Sequence, residues 1–185
     1  MHERGGAACY RRCVAVLLNQ ASNLRFRLEI ARRLSDGVQT PASLEVEAAV
    51  ERYRHRPTTG EHAFVPLLRL PQATMLDLDL IQFIESLEAM LESNQPGGAA
   101  LESSAGAAVA LRISGGPDAY QVEAGLDLRP LLEPVGGQAG DAGSDVALVR
   151  FFANGRAVVA FCAALLEEFG RFPTDPSRVA PGEPD

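Results

Sequence analysis

The chain has 185 residues, 46% of them apolar and 22% charged, a composition able to fold one domain without metal or disulfide support and far from that of disordered chains. Its formal charge of −7 is uneven: ten arginines stand against six acids in residues 1–60, and seven against eighteen in residues 61–185. So acidic a larger part argues against a nucleic-acid partner, because the arginines of the first third are interspersed with apolar residues and form no patch. No run approaches the ~18 uninterrupted apolar residues of a membrane span, so no membrane association is expected.

Residues 1–22 read as an N-terminal extension, helical or disordered: Val14, Leu17, Leu18 and Ala21 fit helical spacing, but nothing caps the segment. A single α+β domain is expected over residues 23–172. From Leu24 the period becomes two, with Leu24, Phe26, Leu28 and Ile30 alternating with Arg25, Arg27 and Glu29, which predicts a strand with one buried face. Residues 43–54 alternate similarly and are read as a second strand, with a helix as the rival reading; Glu45, Glu47 and Glu51 would then face Arg25 and Arg27 across the pair. Ala63 to Leu70 reads as a strand that Pro66 confines to an edge or a bulge.

Asp77 to Ser93 is the clearest helix, with Leu80, Ile81, Phe83, Ile84, Leu87, Met90 and Leu91 on one face, Glu85, Glu88 and Glu92 on the other, and Asp77 or Asp79 as its cap. Strands are expected near 99–103, 107–113, 119–128 and 146–152, with a flexible Gly-rich loop at 136–145. A final helix starts at the capping Asn154, buries Val158, Phe161, Cys162, Leu165 and Phe169, and stops at Gly170. The proline-rich tail, 173–185, is expected to be disordered. The predicted architecture is therefore α+β: an antiparallel β-sheet (meander) with two amphipathic helices packed on one face.

Signals for chemistry are weak. His2, Cys9 and Cys13 lack a fourth zinc ligand, and His55 and His62 flank a polar loop and read as solvated. The glycines form no phosphate-binding pattern, there is no lysine for a P-loop, and neither a G-x-S-x-G elbow nor an H-E-x-x-H pair occurs. No catalytic, cofactor-binding or metal residue is predicted, and a non-enzymatic chain is expected. The odd cysteine count, with Cys162 inside an apolar helix face, predicts no disulfides and a reducing cytoplasm.

The segments LDLDLIQFIESLEAMLE (76–92), AALESSAGAAVALRI (99–113), YQVEAGLDL (120–128) and VALVRFFANGRAVVAFCAALLEEF (146–169), in this order, resemble the WapI-type immunity proteins of bacterial toxin systems. The resemblance implies a small cytosolic protein that acts by binding and occluding a toxin domain. Such domains tend to be basic, and an acidic binder would be steered to them. The partner-binding residues expected on this reading are Glu85, Glu88, Glu92, Glu123, Asp127, Glu167 and Glu168. Two alternatives are a self-assembling scaffold using the edge near Pro66, and a small-molecule-binding protein or enzyme with a pocket between sheet and helices.

Overall fold

Period-two alternation carries most of the chain into strands. The computed structural model describes residues 14–34, 42–56, 60–93, 95–102, 108–127 and 146–172. Among these residues the order is β1 (Ala15–Leu18), β2 (Leu24–Leu34), β3 (Ser43–Arg56), β4 (Glu61–Leu76), α1 (Asp77–Ser93), β5 (Gly97–Glu102), β6 (Val109–Gly116), β7 (Ala119–Asp127), β8 (Val146–Ala153) and α2 (Gly155–Gly170). The chain thus runs twice through one pattern, a four-stranded antiparallel meander followed by a helix.

The α+β class is as expected, but the strands form two sheets where one was predicted: sheet A in the order β1-β2-β3-β4 and sheet B in the order β5-β6-β7-β8. The division falls at α1, which separates the fourth strand from the fifth. Alternation reveals which face of a strand is buried but is silent on which neighbours it pairs with. β1 and β8 are edges of their sheets, and the Gln20 N–H donates to the Phe152 carbonyl at 2.8 Å, joining the two meanders.

A second correction concerns residues 1–22. Residues 15–18 are a strand paired with β2, Ala15 opposite Leu28 and Leu18 opposite Arg25, and Ala15 and Leu17 are fully buried. Ala15 and Leu17 also satisfy a period of two, and pairing with β2 overrides the helical spacing of so short a run. Residues 1–13, with His2, Cys9 and Cys13, lie outside the described residues, as do the 136–145 loop and the 173–185 tail.

Segment 43–56 is a strand throughout, which decides against the helical rival. β4 is the free edge of sheet A and carries Pro66, as the sequence implied; its register with β3 shifts twice, beside Leu67 and beside Pro71 and Gln72. The β6–β7 hairpin turns through Pro117 and Asp118, and only glycine suits position 115: its φ is +136° and a Cβ there would meet the Ala119 carbonyl oxygen at 2.5 Å.

The inner faces of both sheets and the apolar stripes of both helices join in one core. Phe26 of β2 meets Phe161 of α2 edge to face, with centroids 6.3 Å apart. α1 packs chiefly on β5, and α2 chiefly on β1, so each helix covers the first strand of the other meander. Asn154 caps α2 as predicted, its side chain accepting from the Ala157 N–H at 2.8 Å. The helix ends at Gly170, as expected, and Arg171 beyond it, in right-handed geometry, donates its N–H to Glu168 O at 3.2 Å.

Candidate partner-binding site

The predicted acids separate into three groups. α1 holds its first group by amphipathicity: Leu80, Phe83, Ile84, Leu87 and Met90 turn into the core, which sets Glu85, Glu88 and Glu92 on the opposite, exposed face. The helix contains no basic residue, and among the described residues none of these three carboxylates has an ion-pair partner. Beside this face, Asp79, Gln82 and Ser86 of α1 and Ala100 and Glu102 of β5 line an open polar groove of about 310 Å³. Glu88 lies close enough to α2 for its charge to bear on Cys162, whose thiol is pushed up to about 11, mainly by burial. That thiol is an inert core group at neutral pH.

Asp77, at the start of α1, turns inward instead of capping. It forms a part-buried ion pair with Arg33 of β2, while the Arg33 guanidinium also donates to the Phe172 carbonyl at 2.6 and 3.0 Å. The pair ties the start of α1 to sheet A and to the end of α2.

The second group is exposed or half-buried and already engaged. Glu167 pairs with Arg171 one turn on at 3.4 Å, and Glu123 of β7 pairs with Arg150 of β8 at 2.7 Å while accepting from Gln121 at 3.1 Å. The third group is buried and is withdrawn from the predicted contact surface. Asp127, at the end of β7, is 5% exposed and Glu168 is 3% exposed. Glu168 reaches under the end of α2 to accept the Ile30 N–H at 3.0 Å, just past the last residue of β2 that β1 covers. Its carboxylate thus stands in for a missing strand. Burial, partly offset by that hydrogen bond, pushes its pKa up to about 7, and its Oε2 has no partner.

On the outer face of sheet A, charge is neutralised locally, as the alternation of β2 and β3 implied. Arg25 is opposite Glu51 and bonds it at 2.5 Å; Arg27 bonds Glu29 at 2.5 Å and Glu47 at 3.0 Å; Arg69 bonds Glu47 at 3.1 Å. Arg32 and Gln72 bond Glu45 at 2.8 and 3.0 Å, and these bonds hold the Glu45 carboxyl below its usual range.

Two surface features escaped the sequence reading. Val146, Leu148 and Phe152 of β8 form an exposed apolar row, next to a shallow hollow of about 250 Å³ over Gly125 and Ala110. At the tip of the β3–β4 hairpin, His55 and His62 are not loop residues but directly opposed strand residues, next to the Tyr53 and Phe64 pair. The signal for the second was present: Tyr53 and Phe64, and His55 and His62, stand at equal distances on either side of the loop between the two strands.

Among the described residues no group of three or more His, Cys, Asp or Glu is placed to hold a metal ion, and no helix is long and apolar enough to cross a membrane. No protein-family model, curated protein or solved structure matches the chain.

Proposed function

We propose that the chain is a non-enzymatic protein-binding module, an immunity-like inhibitor that occludes a basic partner such as a toxin domain, and that the exposed face of α1 makes the contact. The observation carrying this reading is the row Glu85, Glu88 and Glu92, exposed on a helix without a basic residue and unpaired among the described residues, in a molecule whose sheet A acids are all but consumed by arginines. Three uncompensated carboxylates on one rigid face attract a cationic surface and speed its approach. The groove beside them, lined by Asp79 and Glu102, has the polarity to take a basic side chain.

The scaffold alternative has one feature in its favour, the long free edge of β4, and two against it. Pro66 and Pro71 lack the N–H that an added strand needs, and the register shifts beside them break up the edge.

The test is capture by the tagged chain from a lysate of its source, with washes of increasing salt and partners identified by mass spectrometry. A basic protein retained at low salt and released as salt rises is the expected result. Recovery of the chain alone, or of a partner indifferent to salt, contradicts it.

A further inference from the structure

The β3–β4 hairpin runs past the end of β2, whose Leu24 is opposite Arg52, and its last residue pairs include Tyr53 with Phe64 and His55 with His62. Tyr53, His55, Phe64 and His62 share the outer face of the ribbon. Arg52 and Arg54 alternate onto the opposite face, and Arg25, on the ring side, is held over Phe64 at 4.1 Å and bonded to Glu51. The two imidazoles stack with centroids 4.4 Å apart and planes 24° from parallel. Both are exposed, and the Tyr53 hydroxyl is 2.6 Å from His62 Nδ1.

We propose that His55 and His62 form a two-imidazole chelate for a borderline divalent transition metal, Cu(II) in preference to Ni(II) or Zn(II). Two nitrogens on one such ion, each ~2 Å from it, stand ~3 Å apart. Cross-strand rings whose centroids are already 4.4 Å apart reach that separation by rotation of two exposed side chains, with no backbone movement. Imidazole is the ligand these ions prefer over oxygen, and their affinities rise to Cu(II) along the divalent series. Tyr53 completes the arrangement. A metal on His62 Nε2 selects the tautomer whose Nδ1–H donates to the Tyr53 hydroxyl, the outer hydrogen bond that orients a ligating histidine. No third protein ligand is placed nearby among the described residues, so the remaining coordination positions stay open to water or to a ligand from elsewhere.

The chain has three histidines. His2, Cys9 and Cys13 are removed as competing ligands by His2→Gln, Cys9→Ser and Cys13→Ser in the 185-residue chain, and Cu(II) is titrated into this background by calorimetry, with electron paramagnetic resonance of the loaded sample. One equivalent bound, with hyperfine splitting from two nitrogens, is expected. Adding His55→Gln or His62→Gln should each weaken binding ~100-fold, because the chelate falls back to a single ligand. Tyr53→Phe, which keeps both ligands and the ring stack, should weaken it ~10-fold. A Cu(II)-dependent rise in Tm that vanishes in either histidine variant, while their metal-free Tm stays at the background value, separates ligation from a folding defect. Absence of binding in the background chain, or retention of it in either histidine variant, overturns the proposal.

Discussion

The outer face of sheet A and the exposed face of α1 are both rich in acids, and they use them in opposite ways. On sheet A, Glu29, Glu45, Glu47 and Glu51 alternate with arginines across β2, β3 and β4, and every one of them meets a guanidinium. On α1, Glu85, Glu88 and Glu92 meet none among the described residues. The first face is electrostatically closed and its charges belong to the fold. The second has no cation to close it and projects its field into solvent. Charge count alone does not separate the two, because what matters is whether a cation lies across the strand or one turn along the helix.

That comparison is broken most severely where an acid of α1 does belong to the fold. Asp77→Ala strands Arg33 between β2 and the end of α2, and urea denaturation should show a loss of about 3 kcal/mol or more, as for other part-buried pairs that lose one member. Glu168 has the next largest effect, and it depends on pH. Its pKa is raised from 4.5 unfolded to about 7 folded, so the folded state binds the proton more tightly. Its contribution is fully present below pH 4.5 and is lost as pH rises to about 7 and beyond. Glu168→Gln should therefore stabilise the chain at pH 8 by about 3 kcal/mol at most, leave it nearly unchanged at pH 4, and flatten the Tm profile between those values. A Tm profile of equal slope in both proteins would contradict the burial assigned to that carboxyl.

Within sheet A, Glu51→Ala removes the partner of Arg25 and a neighbour of Arg27; both arginines are about a quarter exposed and can turn to water, so a loss of about 1 to 2 kcal/mol is expected. Smallest of all, changing Glu85, Glu88 and Glu92 singly to Gln should move stability by no more than about 0.5 kcal/mol each, as for exposed residues without partners. A larger loss from any of these three would mean that the α1 face is part of the fold after all.

Much of this was legible in the sequence, and the limits have physical causes. Helix α1 was read to its first and last residue because an uninterrupted 3.6-residue stripe from Leu80 to Met90 has no competing period. The Arg25 to Glu51 pairing followed from two adjacent alternating runs. The fate of the acids was legible only where the apolar stripe decided it: Glu85, Glu88 and Glu92 lie opposite five buried side chains, whereas Glu168 lies next to Phe169 and Leu165 and is drawn under the helix by the free N–H of Ile30, a residue 138 positions away. Strand β1 was missed because four residues carry too little periodicity to distinguish 2 from 3.6, and its state is set by β2. The imidazole pair was missed because the strands were expected to end at residue 54 and to begin at Ala63, leaving both histidines beside the loop, whereas β3 and β4 run on to Arg56 and from Glu61 and bring the two rings face to face.

Whether open and closed charge differ in function is decided by comparing how three forms of the chain capture the proposed partner. These are the unaltered protein, the Glu85→Arg/Glu88→Arg/Glu92→Arg variant, and an Arg25→Glu/Glu51→Arg variant, which exchanges a pair on sheet A without changing its net charge. The α1 variant is expected to lose the partner at all salt concentrations while the sheet A variant keeps it with the same salt dependence. Capture that survives reversal of the three α1 acids, or that is lost on exchanging the sheet A pair in a folded protein, would contradict it.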